Sequence, residues 1–361
     1  RYDTFTKVEN FEISGTDNDV IMTGDDNDNV LTTDGGNDEL RGGDGNDILK
    51  SGAGDDFVYG EAGDDIIIQN GSGTQFYDGG EGIDTNILNI EKFSLPDDFI
   101  VEVNLKTGFS GVHLDHTHPL NDTVINMENI KLKGDVNSVM IGNDGDNLIT
   151  SLGGNDTIYA GEGNDEIKTE KGNDIIYAEG GNDYIRSGKG YDIITSGAGN
   201  DLIHMHKNHA TDSLEMTDRI TDFELGFDKI ELEEIPYSDI SIEQGIGEYN
   251  NDTIVSTSDG YLVILENLNL SISSNNDHAS NNDHASIFEL FENTTQAKAE
   301  FTASIDKWGG SGSSWLDGPV MKLHSKDNGV VSETGIDLTS KSGHPGHKHK
   351  PDVDKGSYEL R

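Results

Sequence analysis

Aliphatic residues recur every nine positions along two stretches of the chain. Between Gly172 and Ile203, an aliphatic residue follows each acid by two positions, as Ile176 follows Asp174 and Ile194 follows Asp192. A period of nine matches neither an α-helix, with about 3.6 residues per turn, nor a plain alternating strand. The pattern predicts a short strand around each aliphatic residue, followed by a turn.

The same pattern defines two arrays. The second array has Ile149, Ile158, Ile167, Ile176, Ile185, Ile194 and Ile203, and the first has Ile21, Leu31, Leu40, Leu49, Val58 and Ile67, with one extra residue after Asp19. Residues two apart in a strand share a face. We therefore expect the small residues two positions further on to point inward as well (Ala160, Ala178, Ser187 and Ser196). A solvated linker has no reason to keep this phase, which favours a folded coil over disorder.

Charge restricts the partners of such a coil. The 361 residues include 69 Asp and Glu against 24 Lys and Arg, giving a formal net charge of −45, and no cysteine. This charge opposes compaction and disfavours nucleic acid or an anionic membrane as a partner. The lack of cysteine excludes disulfides and thiolate zinc sites, and no apolar run is long enough for a transmembrane helix. Hard divalent cations, Ca²⁺ or Mg²⁺, are the partners that carboxylates prefer.

In the second array the acids keep the same period of nine, each two residues after a glycine, as Asp174 follows Gly172. If one turn of the coil takes two nonapeptides, residues i and i+18 lie side by side. Asp156 then stacks with Asp174 on one edge, and Asp165 stacks with Asp183 on the other. Like charges at this spacing repel unless a cation lies between them. Ca²⁺ takes roughly six to eight oxygens, so backbone carbonyls of the glycine turns are expected to supply the remainder.

These units resemble the RTX (repeats-in-toxin) nonapeptide G-G-x-G-x-D-x-U-x, in which U is a large aliphatic residue. The segment GGDGNDILK, Gly42 to Lys50, matches it closely, and AGEGNDEIK and SGAGNDLIH differ only at the first glycine. The resemblance implies an all-β fold with two right-handed parallel β-roll blocks, β-rich flanking and capping segments, and Ca²⁺ between successive turns.

The resemblance also implies which residues bind these calcium ions. The carboxylate ligands would be Asp19, Asp38, Asp47, Asp56, Asp65, Asp84, Asp156, Asp165, Asp174, Asp183, Asp192 and Asp201. Backbone carbonyls would come from around Gly36, Gly45, Gly54, Gly63, Gly154, Gly163, Gly172, Gly181, Gly190 and Gly199. Asn29 and Asn147 stand where the acid is expected at the start of each array. We therefore expect those two edge sites to be weak or missing.

The arrays divide the chain into five predicted parts. These are a first RTX block with its lead-in (1–84), a β-rich insert (85–120), a second block with its lead-in (121–203), a β-rich C-terminal cap (204–290) and a Gly/Ser/Lys/His-rich tail (291–361). The two lead-ins resemble each other, since Glu9-Asn10 matches Glu128-Asn129. This similarity predicts an internal duplication.

The cap and the tail carry further signals. Asp259-Gly260 between two β-rich runs predicts a two-residue hairpin. The tail, which contains Trp308 and Trp315, departs from the family pattern. Three interpretations of it are open: a secretion signal, a linker or a further module.

Histidine clusters leave two interpretations open. They comprise His113, His116 and His118 in the insert, His204, His206 and His209 after the second array, and His344, His347 and His349 in the tail. Strand neighbours two apart share a face suited to Zn²⁺ chelation. The alternative for the first two clusters is a polar loop or exposed strand face, and for the tail a solvated segment.

The functional prediction is the calcium-binding RTX region of a secreted bacterial protein, located outside the cell or on its surface. It would fold on extracellular Ca²⁺ and serve as a structural, secretion or surface-adhesion module, with a cell-surface or self-association partner. No H-E-x-x-H, G-x-S-x-G or P-loop motif is present, so no enzyme is expected in this chain. The first alternative is the RTX portion of a secreted enzyme or toxin whose catalytic domain lies outside this chain. The second is a binding module formed by the insert or the tail.

Overall fold

The computed structural model describes residues 3–15, 17–91, 100–113, 121–236, 239–269, 290–291, 322–325 and 331–334. Short 3-10 helices lie at Lys207–His209, Leu214–Met216 and Gly247–Tyr249. The strands are β1 Asp3–Val8, β2 Asn10–Glu12, β3 Val20–Gly24, β4 Val30–Thr32, β5 Glu39–Asp44, β6 Ile48–Lys50, β7 Phe57–Ala62, β8 Ile66–Gln69, β9 Phe76–Glu81, β10 Thr85–Asn89, β11 Ile100–Asn104, β12 Phe109–His113, β13 Asn121–Ile125, β14 Asn129–Lys133, β15 Asn137–Ile141, β16 Leu148–Thr150, β17 Thr157–Glu162, β18 Glu166–Lys168, β19 Ile175–Gly180, β20 Tyr184–Arg186, β21 Ile193–Thr195, β22 Leu202–His206, β23 Asp218–Ile220, β24 Lys229–Glu233, β25 Ser241–Gln244, β26 Thr253–Thr257, β27 Gly260–Leu265, β28 Lys322–Ser325 and β29 Val331–Thr334. Across these described segments, no helix has the length and apolar character needed to cross a membrane.

Two sheets wind together along the chain. One contains sixteen strands in the order β1-β3-β5-β7-β9-β13-β12-β11-β15-β17-β19-β21-β23-β27-β26-β25, and the other contains eleven in the order β2-β4-β6-β8-β10-β14-β16-β18-β20-β22-β24. Within each array the chain alternates between the sheets, so a full turn takes two strands, and successive turns pair in parallel. The predicted all-β, parallel-strand roll is confirmed. Its handedness stays a prediction.

Aliphatic residues eighteen positions apart stack inside the roll. In the sixteen-stranded sheet Ile158 lies opposite Ile176, and Ile176 lies opposite Ile194. In the other sheet Ile167 lies opposite Ile185. All five side chains are fully buried, and so are the small residues predicted to point inward, Ala160, Ala178, Ser187 and Ser196. Burying each large aliphatic side chain contributes about 1.5–3 kcal/mol, which makes these stacks the apolar interior of the roll.

The first array begins one residue out of phase with the prediction. The sequence pattern places Ile21 inside, but in the structure Met22 lies opposite Leu40 and is fully buried, whereas Ile21 is only partly buried. The extra residue after Asp19 displaces the side chains of β3 by one position. A one-residue shift in a strand exchanges its inner and outer faces.

The two arrays share both sheets. Strand β10, at the start of the predicted insert, pairs in parallel with β8 of the first array and with β14 of the second block. The antiparallel hairpin β11–β12 enters only the sixteen-stranded sheet, between β13 and β15. Neighbouring strands are about 4.8 Å apart, so this sheet is about 10 Å longer than its partner across the join.

The apolar core is divided at this join. One cluster of buried apolar side chains runs from Val20 to Met127, another includes the insert and the second array, and Leu105 packs against both. Polar side chains fill inward positions here. Ser110 donates to Gln69 Oε1 at 2.8 Å, and Asn86 takes a register position that Ile67 and Ile130 fill in adjacent turns. The join therefore interrupts the aliphatic stack.

The two lead-ins are equivalent in one strand each. Strand β2 pairs with β4, which belongs to the first array, and β14 pairs with β16, which belongs to the second. The second lead-in also pairs backwards, through β13 with β9 and through β14 with β10. The first strands of the lead-ins differ, because β1 pairs with β3 of the first array, whereas β15 of the second block pairs with β11 of the insert.

The cap continues the sixteen-stranded sheet. Strand β23 pairs in parallel with β21 of the array and with β27, and β26–β27 form the predicted hairpin. Its two-residue loop is Ser258-Asp259 and not the predicted Asp259-Gly260, because Gly260 pairs with Thr257 and begins β27, with φ 137°. In the predicted tail, β28 and β29 form an antiparallel pair. Trp308, Trp315 and the tail histidines lie outside the described residues.

Candidate metal centre

Two rows of buried aspartates follow the two edges of the roll. We call them the inner rows; one contains Asp38, Asp56, Asp156, Asp174 and Asp192, and the other contains Asp47, Asp65, Asp84, Asp165, Asp183 and Asp201. Within the arrays each carboxylate reaches back to the preceding turn, as when the Asp174 amide donates to Asp192 Oδ1 at 2.9 Å. Asp165 makes the same bond with Asp183 at 2.8 Å. Residues i and i+18 therefore lie side by side, and consecutive acids alternate between edges.

The second carboxylate oxygen, Oδ2, has no hydrogen-bond partner in any of these eleven aspartates, although each Oδ2 is buried. The side chains are at most 2% exposed. A buried, unpaired carboxylate oxygen is costly unless a cation or a donor faces it. Each inner row thus presents a series of negative oxygens that lack a donor or a cation.

Burial also changes the proton affinity of the inner rows. It raises the pKa of Asp156 and Asp165 to about 6, and that of Asp174 and Asp183 to about 7, although hydrogen bonds from nearby hydroxyls and backbone amides oppose the shift. Neighbouring row aspartates raise the pKa of Asp174 and Asp183 further. The charged form is thus disfavoured here without a counter-ion.

On one edge of the first array, glycine keeps the space beside these oxygens open. A Cβ added to Gly42 would lie less than 3 Å from both Asp47 Oδ2 and the carbonyl oxygen of Gly60, and one added to Gly60 would clash with Asp65 Oδ2 and the Gly79 carbonyl. A carboxylate oxygen and a carbonyl oxygen therefore face the same small space. The sequence prediction had assigned these positions only as small inward residues.

The glycines predicted to supply carbonyls form a second stack. All ten have φ between 103° and 155°, a left-handed conformation that favours glycine. The carbonyl oxygen of Gly154 lies against the Cα of Gly172, and that of Gly172 lies against Gly190, so a side chain there would meet the preceding turn. Carbonyl oxygens thus line the turns beside the inner rows, which is the environment that a hard cation needs.

These observations fit Ca²⁺. The inner rows offer unsatisfied carboxylate oxygens, the turns offer carbonyl oxygens, and on one edge of the first array glycine leaves the volume between them open. Oxygen-only coordination with several ligands is the preference of Ca²⁺. The individual residues as calcium ligands stay a prediction.

Asn29 and Asn147 complete local loops instead. The Asn29 Oδ1 accepts from the Asp25 amide at 2.8 Å, and the Asn147 Oδ1 accepts from the Asn143 amide at 2.8 Å. Their amide nitrogens donate within the same loops. Each Asn oxygen lies beside a glycine, Gly24 or Gly142, as Asp47 lies beside Gly42. Weak or missing sites at the array starts stay a prediction.

Asp19 lies outside the inner rows. The amide that donates to Asp38 Oδ1 belongs to Val20, at 2.8 Å, so Val20 holds the row position. Asp19 is one residue earlier, and its Oδ1 accepts from the Asn37 amide at 2.9 Å. The extra residue that places Met22 inside the roll also displaces Asp19 from the inner row. Asp19 therefore does not hold the inner-row position that the other predicted ligands share.

An outer row of side chains runs beside each inner row, and the sequence analysis did not identify it. At most turns the residue before the acid is Asn or Asp and accepts a hydrogen bond from an amide one turn later: Asn164 Oδ1 accepts from Asn182 at 2.9 Å, and Asn182 Oδ1 from Asn200 at 2.9 Å. These side chains are exposed, and the oxygens of Asn164 and Asn182 each have a backbone donor. The repeated Asn-Asp dipeptide in the sequence was the available signal.

Three further aspartates join the inner rows and were also missed. Asp122 accepts from the Gln75 amide, Asp218 from the Asp192 amide and Asp228 from the Asp201 amide, at 3.0, 3.0 and 3.2 Å. Each is buried and is followed two residues later by a buried aliphatic residue, Val124, Ile220 or Ile230. The acid-x-aliphatic triplet was the signal. The triplets at Asp122 and Asp218 lack the glycine two residues before the acid, whereas Gly226 stands in that place before Asp228, which follows Asp201 by 27 residues.

The second histidine cluster does not converge on a metal. His204 Nε2 lies 3.0 Å from Glu233 Oε2, and His206 Nε2 lies 3.7 Å from Glu234 Oε2, so the rings are directed to different carboxylates. Among the residues that the structure describes, no three His, Cys, Asp or Glu side chains form a metal-holding group. The zinc interpretation is therefore wrong for this cluster. The inner-row carboxylates do not form such a group either, and backbone oxygens as further ligands stay a prediction. His116 and His118 lie outside the described residues, and His113 is described only in its backbone.

Comparisons with known proteins bear on the same segments. Residues 32–67, 134–167, 141–176, 159–194 and 177–204 match the model of the RTX calcium-binding nonapeptide repeat, which spans four copies. No curated protein matches the chain. Among solved structures, the extracellular lipase LipA from Serratia marcescens matches at 15% identity over 71% of this chain and 39% of the lipase, with a TM-score of 0.22, a level that supports no statement about this chain. The segments 32–67 and 134–204 are RTX calcium-binding nonapeptide repeats.

Proposed function

We propose that this chain is a Ca²⁺-dependent structural region of a secreted bacterial protein, which folds when it meets extracellular calcium. The observation that carries the proposal is the pair of inner rows, in which eleven buried carboxylates each leave Oδ2 without a partner. Such rows are unfavourable as bare anions and favourable around cations.

Calcium would couple binding to folding. The i, i+18 stacking that brings the row oxygens together exists only in the folded roll. A ligand that binds the folded state alone stabilises it in proportion to the logarithm of its concentration. With a formal net charge of −45, the unfolded chain also gains from staying expanded when no cation is present.

The expected affinity points to the extracellular space. Extracellular calcium modules bind with Kd values of about 10⁻⁴–10⁻³ M, well above the range of intracellular sensors. A region tuned in this way stays unfolded inside the cell and folds after export. We therefore propose secretion, with a role in adhesion, in a surface layer or in secretion itself.

We propose a structural role and not a catalytic one. The inner-row carboxylates are buried, and each already accepts a backbone hydrogen bond through Oδ1, so they face the interior of the turns and not an accessible substrate site. Turnover of a protein, lipid-ester or polysaccharide substrate by the intact chain would contradict this and favour a secreted enzyme.

A calcium titration of the metal-free full chain tests the proposal. We expect circular dichroism to change from a disordered spectrum to a β spectrum as Ca²⁺ rises through the millimolar range, with several ions bound per chain by equilibrium dialysis. Mg²⁺ at the same concentration is the control, because its smaller octahedral shell suits these oxygen-rich sites poorly. A chain that is fully β-folded in chelator would overturn the proposal.

A further inference from the structure

We propose that Asp218 forms an additional calcium site, outside the nonapeptide arrays, at the boundary between the second array and the cap. The inference rests on the proposed calcium function and assigns one further ion to a residue that the repeat matches, which end at residue 204, do not include.

Asp218 holds a true position in the inner row. Its Oδ1 accepts from the Asp192 amide at 3.0 Å, the bond that Asp192 makes with Asp174 one turn earlier. Strand β23 pairs in parallel with β21, with Ile220 opposite Ile194. The row therefore passes from the array into the cap without a change of register.

The chain makes room for this continuation by folding out a loop. Asp218 follows Asp192 by 26 residues, where the array spacing is 18, a difference of eight. The intervening chain contains the 3-10 helices Lys207–His209 and Leu214–Met216. The Thr217 hydroxyl, which donates to the Ser213 carbonyl at 2.9 Å, closes the loop just before Asp218.

The second oxygen of Asp218 indicates a cation. Asp218 is 2% exposed, and its buried Oδ2 has no hydrogen-bond partner, as is also true of the adjacent Asp192 Oδ2. Arg219, the next residue, does not neutralise this pair, because its guanidinium binds Glu266. Two buried carboxylates in successive turns thus share an unmet requirement for positive charge.

The opposite edge of the roll ends differently. Asp228 occupies the equivalent place there, but its two oxygens both have donors: the Asp201 amide at 3.2 Å to Oδ1 and the Glu224 amide at 2.6 Å to Oδ2. Asp228 closes its row with hydrogen bonds. Asp218 leaves its Oδ2 without a donor. The row that ends at Asp228 therefore needs no cation at its end, whereas the row that ends at Asp218 does.

An ion at Asp218 would join the cap to the array. Strand β23 pairs with β21 on one side and with β27 of the cap on the other, with Ile220 opposite Leu265. Binding there favours the arrangement in which the cap strands lie on the last nonapeptide turn. Calcium occupancy at Asp218 therefore controls how firmly the cap closes the roll.

The test compares Asp218→Asn with Asp228→Asn in the full chain. Both changes remove one buried charge at a row end and keep the size of the side chain. We expect Asp218→Asn to bind one calcium ion fewer than the unmodified chain, with faster amide hydrogen exchange in β26 and β27. We expect Asp228→Asn to keep the full number of ions. Equal stoichiometry in the two variants overturns the inference.

A crystal of the unmodified chain grown with Ca²⁺ keeps the inference testable if either variant fails to fold. Anomalous difference peaks are expected along the inner rows and beside Asp218 Oδ2. Peaks in the arrays without one at Asp218 would remove this site and leave the proposed function intact. A folded chain with no peaks at all would remove both.

Discussion

The inner and outer rows lie side by side on the same turns, yet they are built in opposite ways. Asn173 and Asp174 are neighbours in the chain. The Asp174 amide donates forward to Asp192 Oδ1, whereas Asn173 Oδ1 accepts from the Tyr191 amide of that later turn. The outer-row oxygen of Asn173 is exposed and already has a backbone donor. The inner row leaves one buried oxygen per residue unsatisfied.

This contrast explains why the two rows differ in composition. Asn and Asp both serve in the outer row, since Asn46 accepts from the Asp64 amide and Asp28 accepts from the Asn46 amide. The inner rows use Asp through the arrays. Where Asn replaces it, at Asn29 and Asn147, the side chain turns its hydrogen bonds into a local loop. The Asn side chains form hydrogen bonds within their own loops, whereas the buried Asp carboxylates leave Oδ2 in need of a cation.

The largest expected effect comes from pH acting on the metal-free inner rows. Burial raises the pKa of Asp56 and Asp65 to about 6 and that of Asp84 to about 7, above the ordinary value of 3.8. Between these limits the folded state binds more protons than the unfolded state, so its stability falls as pH rises. We expect metal-free chain to regain β structure, measured by circular dichroism, as pH falls from 8 to about 5.

With saturating Ca²⁺ the stability of the folded state should instead fall as the pH falls, because protons compete with the metal for the same oxygens. Calcium affinity should fall as the pH falls from about 7 to about 5. A metal-free chain that is more structured at pH 8 than at pH 5 would contradict the assignment of buried, cation-dependent carboxylates.

Paired substitutions at Asp174 and Asn173 compare the rows directly. Asp174→Asn should lose at least one calcium ion and about 2.7 kcal/mol of unfolding free energy when Ca²⁺ is at about 100 times its Kd. Asn173→Ala removes the acceptor for the Tyr191 amide, and at this exposed position the cost should be about 1 kcal/mol, with no ion lost. Thermal unfolding and equilibrium dialysis measure both. An equal loss of calcium in the two variants would remove the distinction between the rows.

The smallest effect should come from restoring a carboxylate at an array start. Asn147→Asp places an acid beside Gly142, where the Asn147 oxygen already lies, and should add one calcium ion per chain. Asn137→Asp is the matched control, because Asn137 accepts from the Asn155 amide in the outer row and gains the same charge there. We expect no added ion in the control. If neither variant gains an ion, a missing carboxylate is not what weakens the array start.

Much of the roll could be predicted because each nonapeptide repeats the same local chemistry. The inward aliphatics, the positive φ of the glycines and the i, i+18 stacking of Asp165 with Asp183 all follow from one period. The prediction failed where that period breaks. One inserted residue moved Asp19 outward and Met22 inward. This shift depends on the register in which β3 pairs with β5.

The nine-residue pattern did not identify the inner-row aspartates that lie outside the two arrays. Asp122, Asp218 and Asp228 reach the inner rows after gaps of 47, 26 and 27 residues. Only the pairing of β13, β23 and β24 with the arrays brings them into register. Their acid-x-aliphatic triplets can be assigned to the inner rows only when the neighbouring strand is known.

The sequence by itself determined the period, and with it the inner aliphatic stack, the glycine turns and the two edges of acids, because these depend on contacts between identical units one turn apart. The tertiary structure alone decided how the arrays meet and end. It placed the hairpin β11–β12 in one sheet only, and it left Asp218 with an unpaired oxygen while both oxygens of Asp228 were satisfied. These outcomes depend on which strands pair across non-repeating segments, and no local period specifies that choice.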